Sequence, residues 1–186
     1  MAIGLILIVL AGFAGLVLLW AIFTYNRLIV LRNRINNAWS QIDVQLRRRY
    51  DLIPNLVEAV KGYAAHEKGT FEKVTEARAA MASAKSVAEQ GEAQNMITGA
   101  LKSLFAVAEA YPQLKANEKF MMLQEELSGT ESQSAYARQF YNDTVMSFNT
   151  LIQTFPANLI AGAFSFTERE YFAMEDAARE PVKVQF

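Results

Sequence analysis

The side chain best suited to chemistry is His66, which Glu67 follows, in a chain with no second histidine and no cysteine. A helical zinc site of the His-Glu-x-x-His kind needs two histidines four residues apart, and a di-iron bundle needs Glu-x-x-His pairs. Tyr63 occupies the position three residues before His66, so neither pattern is present. We interpret His66 as a helix-end residue that complements the helix dipole.

Other catalytic and ligand-binding patterns are also missing from the sequence. It contains neither a glycine-rich phosphate loop nor a Gly-x-Ser-x-Gly elbow. A net charge of -1 and a pI near 5.9 provide no basic field for nucleic acid. We therefore predict a protein that is not an enzyme, with no catalytic residue, metal site, cofactor, nucleic-acid partner or small-molecule substrate.

The arginine run Arg47–Arg49 could form an anion site, but consecutive residues point in different directions around a helix. Arg49 alone falls on an apolar row, and a buried arginine needs a carboxylate partner. The candidates are Glu125, Glu126 and Glu131, and the specific prediction is a structural ion pair between Arg49 and Glu125. A functional anion site is the less favoured interpretation.

An uncharged apolar segment runs from Ile3 to Phe23, and its 21 residues would span about 31 Å as a helix. This predicts a transmembrane anchor, and its membrane-facing residues would include Ile3, Leu7, Leu10, Phe13, Val17, Trp20 and Phe23. A cleaved signal peptide is the alternative, but the segment lacks the basic start and the small-residue exit of a signal.

The charges beside this segment predict its orientation. No lysine or arginine precedes it, whereas Arg27, Arg32 and Arg34 follow it closely. The positive-inside rule then places the N-terminus outside and the rest of the chain in the cytoplasm of a bacterial inner membrane. A domain on the outer face is the alternative.

The rest of the chain has the apolar spacing of helices. Apolar residues at heptad spacing predict one long helix from the membrane segment to about His66, with a kink near Tyr50 because of Pro54. Two shorter helices are predicted from the Gly69-Thr70 turn to about Gln90-Gly91, and over residues 93–110. A second long helix should run from an Asn117 cap to about Thr154, before Pro156.

Helices of these lengths predict an all-α fold, in which an N-terminal transmembrane helix continues into an antiparallel four-helix bundle of two long and two short helices. The predicted segments are the anchor (1–24), the bundle (25–154) and an apolar, aromatic-rich segment (155–186). This last segment should be membrane-proximal or form an interface. The alternation at Val182–Phe186 is typical of a short strand or an extended arm.

Because the two short helices cannot cover both long ones, part of the long pair should stay exposed near the membrane. Exposed apolar surface often marks an interaction site. The predicted stalk and oligomer interface comprises Leu28, Leu31, Ile35, Trp39, Phe148, Ile152, Phe155, Phe164 and Phe166. In the alternative, segment 155–172 folds back over the stalk or lies in the lipid headgroup layer.

Several sequence strings resemble one known family. They are Tyr25–Arg34, Asn37–Leu46, Arg48–Val57, Lys61–Ala64, Glu109–Pro112, Leu114–Ala116, Ala137–Asn142 and Phe155-Pro156. Together they are similar to the LemA family over nearly the whole chain. The resemblance implies an N-terminal membrane helix, with a short terminus outside, followed by an antiparallel helical bundle. It implies no reaction, and a magnetosome-membrane branch of the family suggests a part in building membrane compartments.

Two functions follow from these expectations. The favoured one is a structural or scaffolding protein that self-assembles on the membrane through its helical stalk, with membrane lipid and further copies of itself as partners. The alternative is an adaptor or sensor whose bundle binds another membrane or envelope protein in signalling or stress response.

Overall fold

The structure, a computed structural model, describes residues 2–172. Every regular element in this range is a helix. The elements are α1 (Ala2–Lys61), α2 (Lys68–Ser83), α3 (Val87–Glu109), α4 (Pro112–Lys115), α5 (Glu118–Gln153) and α6 (Ala157–Ala163). The strand or arm predicted at residues 182–186 lies outside the described residues.

Helix α1 joins the apolar segment to the first amphipathic helix without a break, as the sequence predicted, and it continues through Pro54. It ends at Lys61, however, and His66 is exposed in the following turn. The prediction that His66 ends the helix is therefore wrong. Turn hydrogen bonds replace the helical pattern there, since the N–H groups of Tyr63 and Ala64 both donate to the Val60 carbonyl.

The short helices differ from prediction at their ends. Helix α2 begins at Lys68, so Gly69 and Thr70 lie inside it, and it stops at Ser83 rather than near Gly91. Ser86 then caps α3, which starts at Val87. The predicted Asn117 cap is confirmed, because its Oδ1 accepts from the Phe120 N–H at 3.1 Å.

The described chain divides into two compact units. One comprises the chain up to Ala38 together with Tyr141–Arg169, and the other comprises Trp39–Phe140 together with residues from Glu170. Helices α1 and α5 each contribute to both units.

The second unit contains the larger hydrophobic core. Helix α2 packs against α3, and buried residues from α1 to α5 form one cluster. Its fully enclosed members include Ile53, Leu56, Val60, Leu104 and Leu114. Tyr63, just after α1, pairs with Asn117, just before α5, while Arg48 of α1 pairs with Glu126 of α5. Helices α1 and α5 therefore run in opposite directions within this unit.

The first unit has its own buried residues. They come from α1, α5 and α6, and include Leu28, Ile35, Val145, Phe148, Ile152, Ala157 and Ala161. Thr24 is the first buried residue along the described chain. Burial in this unit therefore begins where the apolar segment ends.

Candidate functional site

The residues that could do chemistry are not gathered into a catalytic centre in the described part of the chain. No group of three or more histidine, cysteine, aspartate or glutamate side chains between residues 2 and 172 could hold a metal ion. The charged side chains that do converge form a structural cluster in the second unit.

That cluster is centred on Glu131 of α5. The buried Arg49 guanidinium, from α1, donates to Glu131 Oε2, and Arg138 Nη2 donates to Glu131 Oε1 at 3.0 Å. Gln94 of α3 approaches Oε2 at 3.5 Å. One carboxylate therefore holds two arginines, and it links three helices.

The prediction that Arg49 is buried and needs a carboxylate is confirmed, since only 4% of its surface is exposed. The specific partner is wrong, because Arg49 pairs with Glu131 and Glu125 is exposed. Glu131 lies four residues beyond the buried Leu127, on the same face of α5. Glu125 lies two residues before Leu127 and points away from that face.

Gln94 is a buried polar residue that the sequence analysis missed. Its side chain is fully buried, and its Oε1 has no hydrogen-bond partner among the described residues. Nothing in the sequence distinguishes this glutamine from solvent-exposed ones. Its burial could have been predicted only from its position beside Arg49 and Glu131 in the folded chain.

Glu89, at the start of α3, has a carboxyl group whose pKa is lowered by hydrogen bonds. Glu89 Oε2 accepts from the N–H of Lys85 at 2.6 Å and of Ser86 at 3.2 Å, while Ser86 Oγ accepts from the Glu89 N–H. These bonds, with the one from Lys85 the larger cause, lower the pKa of the Glu89 carboxyl. The arrangement is a capping box, so its role is to start the helix.

The first unit contains an aromatic cluster. The Phe166 ring lies 6.0 Å from Tyr25 and 6.2 Å from Phe148, and the Arg32 guanidinium is 5.7 Å from its centroid. Phe164 lies closer to Tyr25, at 4.7 Å. This cluster joins the segment after α6 to the part of α1 that follows the apolar run.

The structure places the predicted interface residues in different environments. Leu28, Ile35, Phe148 and Ile152 are buried within the chain, and Leu31, Trp39 and Phe166 are partly buried. The expectation that Leu28 and Phe148 contribute exposed surface to the stalk interface is therefore wrong, since both are buried within the chain. Within each unit, Phe166 packs on Phe148 and Phe172 packs on Trp39.

Two of the predicted interface residues are exposed. Phe155 is 79% exposed and Phe164 is 58% exposed, at opposite ends of α6. Helix α6 itself was not predicted, since the sequence analysis treated residues 155–172 only as an apolar segment.

An exposed groove on the second unit was also missed. It lies between α1 and α5, has a volume of about 610 Å³, and is lined by Ser40, Gln41, Val44, Gln45, Gln133, Tyr136, Ala137 and Phe140. Val44 is 59% exposed and Tyr136 is 74% exposed. None of the lining residues carries a charge, which is unusual for an exposed helical surface.

The predicted anchor residues all lie on α1, where no residue up to Trp20 is buried. Among the described residues, α1 is the one helix long and apolar enough to cross a membrane. A core helix of a water-soluble protein would bury such a segment. The exposed apolar side chains are therefore those expected of a helix that contacts lipid.

Comparison with known proteins identifies the family. The LemA family matches residues 38–186, most of the chain. The chain belongs to the LemA family. The match starts beyond the apolar segment, so membership in the family rests on the residues that follow this segment.

Individual relatives agree with this assignment. Protein LemA of Metamycoplasma hominis is 31% identical over 73% of this chain and 63% of its own length. Magnetosome protein MamQ 2 of Paramagnetospirillum magneticum is 23% identical, and Magnetosome protein MamQ of Magnetospirillum gryphiswaldense is 24% identical. Each of these two matches covers 85% of this chain and 68% of the relative. This LemA-family chain thus spans less than two thirds of the length of the M. hominis protein. The magnetosome relatives indicate a membrane-associated protein.

Proposed function

We propose that this chain is a non-enzymatic membrane protein that α1 anchors and that assembles with further copies of itself into a scaffold on the membrane surface. The exposed, uncharged groove between α1 and α5 carries the proposal. An exposed groove that lacks charge and displays Val44, Tyr136 and Phe140 is uncommon on a helical domain that remains alone in solution. A second copy is the proposed occupant, because copies anchored in one bilayer meet at high local concentration.

The proposed anchor is an uncleaved span in a bacterial inner membrane, with the helical domain in the cytoplasm. The arginines that follow the apolar segment support this orientation. The proposed architecture is an antiparallel four-helix bundle over residues 25–154, and the opposite directions of α1 and α5 in the second unit support it. The magnetosome proteins among the relatives support a role at a membrane compartment.

The groove, rather than the stalk face predicted from the sequence, is the proposed contact between copies. Four of the nine predicted stalk residues are buried within the chain and three more are partly buried, so they offer little surface to a neighbouring copy. Val44 of α1 and Tyr136 of α5 are both exposed along the groove. Together they offer apolar and aromatic surface typical of interface centres.

The test is the particle size of the full chain in mild detergent, without added ligand. We expect multimers, and we expect Val44→Glu or Tyr136→Glu to reduce them to monomers, because each buries a charge in the contact. Met121→Glu is the matched control, since Met121 is an exposed apolar residue on α5 outside the groove. Monomers of the unmodified chain, or equal effects of all three variants, would overturn self-assembly through the groove.

The adaptor function remains the second candidate, and the same groove favours it, since a helix of another membrane protein could also fill it. It predicts a monomer or dimer of the isolated chain and a stoichiometric partner that Tyr136→Glu releases. The particle-size measurement therefore separates the two functions.

A further inference from the structure

Helix α6 and the two phenylalanines at its ends form an exposed apolar surface beside the end of the anchor. We propose that Phe155, Leu159 and Phe164 insert into the headgroup and acyl boundary of the bilayer that α1 crosses, giving the chain a second membrane contact. This inference rests on the proposed anchoring by α1, and it names the lipid surface as the partner of α6.

The position of α6 within the first unit is the first argument. Tyr25 comes two residues after Phe23, the last residue of the apolar segment, so their backbones differ in height by about 3 Å along a helix. The Phe164 ring lies 4.7 Å from Tyr25. The end of α6 is therefore fixed next to the point where α1 would leave the hydrocarbon.

The direction of the chain after α6 gives the second argument. Phe166 contacts both Tyr25 and Arg32, whereas Phe164 contacts Tyr25. Arg32 lies about 10 Å farther from the apolar segment than Tyr25 along α1. Phe164 therefore lies nearer to the apolar segment than Phe166 does. Because α6 ends just before Phe164, α6 lies on the side of the aromatic cluster that faces the apolar segment.

The two faces of α6 give the third argument. Ala157 and Ala161, one turn apart, are buried in the first unit, whereas Leu159 is 61% exposed. Phe155 and Phe164 extend this exposed surface at either end of the helix. Large apolar side chains on the outer face and small ones on the inner face suit a helix that lies in a membrane interface.

The charge pattern favours lipid over a protein partner. Residues 155–166 include no charged side chain. Exposed Arg27 comes four residues after Phe23, about 6 Å farther along α1, where it can contact anionic headgroups. An uncharged apolar surface with an arginine beside it matches the acyl and headgroup layers of a bilayer.

The absence of cysteine makes a direct test simple, because single cysteines can be placed without removing native ones. Full chains with Phe155→Cys or Leu159→Cys are labelled with an environment-sensitive fluorophore and reconstituted into vesicles that contain brominated or ordinary phospholipid. Leu10→Cys, in the apolar segment, is the positive control. Glu118→Cys, at the exposed start of α5, is the negative control. Circular dichroism confirms that each variant keeps its helix content.

We expect the labels at Phe155 and Leu159 to emit at shorter wavelength than the label at Glu118, and to lose at least about half of their emission to brominated lipid. If Leu10 is quenched but both α6 labels behave like Glu118, the anchor stands and the α6 contact is overturned. If α6 labels are shielded but not quenched, and the shielding is lost when excess lipid dilutes the protein, another copy covers α6 and lipid does not. Chains that fail to float with vesicles would overturn the anchor and this inference together.

Discussion

The single negative charge of Glu131 faces two positive charges, since its carboxylate accepts hydrogen bonds from both Arg49 and Arg138. Removing Glu131 leaves two guanidinium groups without their anion, and one of them is buried. Removing Arg49 leaves Glu131 still paired with Arg138. Loss of Glu131 should therefore destabilise the protein more than loss of Arg49.

We expect Glu131→Gln to destabilise the protein by about 2–3 kcal/mol, below the usual cost for a fully buried pair because the Glu131 side chain is 35% exposed. Arg49→Met should cost less than about 1 kcal/mol, because methionine fills the apolar site without a charge. Thermal unfolding of the detergent-solubilised full chain measures both. Glu125→Gln is the matched control and should change stability by less than about 0.5 kcal/mol; an effect as large as that of Glu131→Gln would contradict the observed pairing.

The capping box at Glu89 makes a prediction about pH. The pKa of Glu89 is lowered in the folded chain, so its contribution to stability is present above its ordinary pKa and is lost as pH falls through the lowered value. Glu89→Gln should therefore reduce the melting temperature at neutral pH, and the gap to the unmodified chain should close in acid. Glu92→Gln, at another exposed position of α3, is the matched control, because Glu92 takes no part in the capping box.

The burial of Arg49 was predictable because it occupies a heptad position of α1, but its partner was not. Between Leu127 and Ala137 the inward positions of α5 are Thr130 and Ser134, which carry hydroxyl groups. The apolar spacing that fixes the phase of a helix is absent from this stretch. The choice between Glu125 and Glu131 therefore needed the three-dimensional structure.

At the scale of elements, long helices were predictable and short ones were not. The apolar spacing of α1 and α5 extends over many turns, so their existence follows from the sequence. Helix α6 has only the residues Ala157–Ala163, and its buried face consists of alanines that the hydrophobic pattern does not distinguish from its exposed face. Which face of α6 is buried depends on how closely its alanines let the helix approach the rest of the first unit.

This close approach can be tested at α6. Ala161→Leu should destabilise the first unit by about 1–3 kcal/mol, because the larger side chain has no room against a buried face. Gly162→Ala is the control, since a Cβ there meets nothing within 4 Å and alanine favours the helix. We expect protease cleavage after Phe164 to accelerate in Ala161→Leu and to stay unchanged in Gly162→Ala. Equal cleavage in both variants would show that α6 is not packed through Ala161.

At the scale of the whole molecule, the all-helical class and the long apolar N-terminal helix were predictable because each depends on a pattern that extends over many residues. The covered stalk was not, because its cover comes from segment 164–172, far along the chain from α1. Aromatic residues such as Phe166 and Phe172 are compatible with lipid, a neighbour or their own chain as a partner. Only the ring contacts with Phe148 and Trp39 decide among these.

The proposed orientation of the chain in the membrane depends on the arginines that follow the apolar segment. Glu118→Cys in the otherwise unmodified chain should react with an impermeant maleimide only after the inner membrane is permeabilised. Adding Ala2→Lys, Gly4→Lys, Arg27→Gln and Arg34→Gln should invert a measurable fraction of molecules, because two lysines then precede the apolar segment and Arg32 is the one basic residue left within about 20 residues after it. Arg47→Gln should not do so, since Arg47 lies beyond the region of about 15–20 residues in which the charge rule acts. Labelling of the otherwise unmodified chain in intact spheroplasts would instead place the helical domain on the outer face.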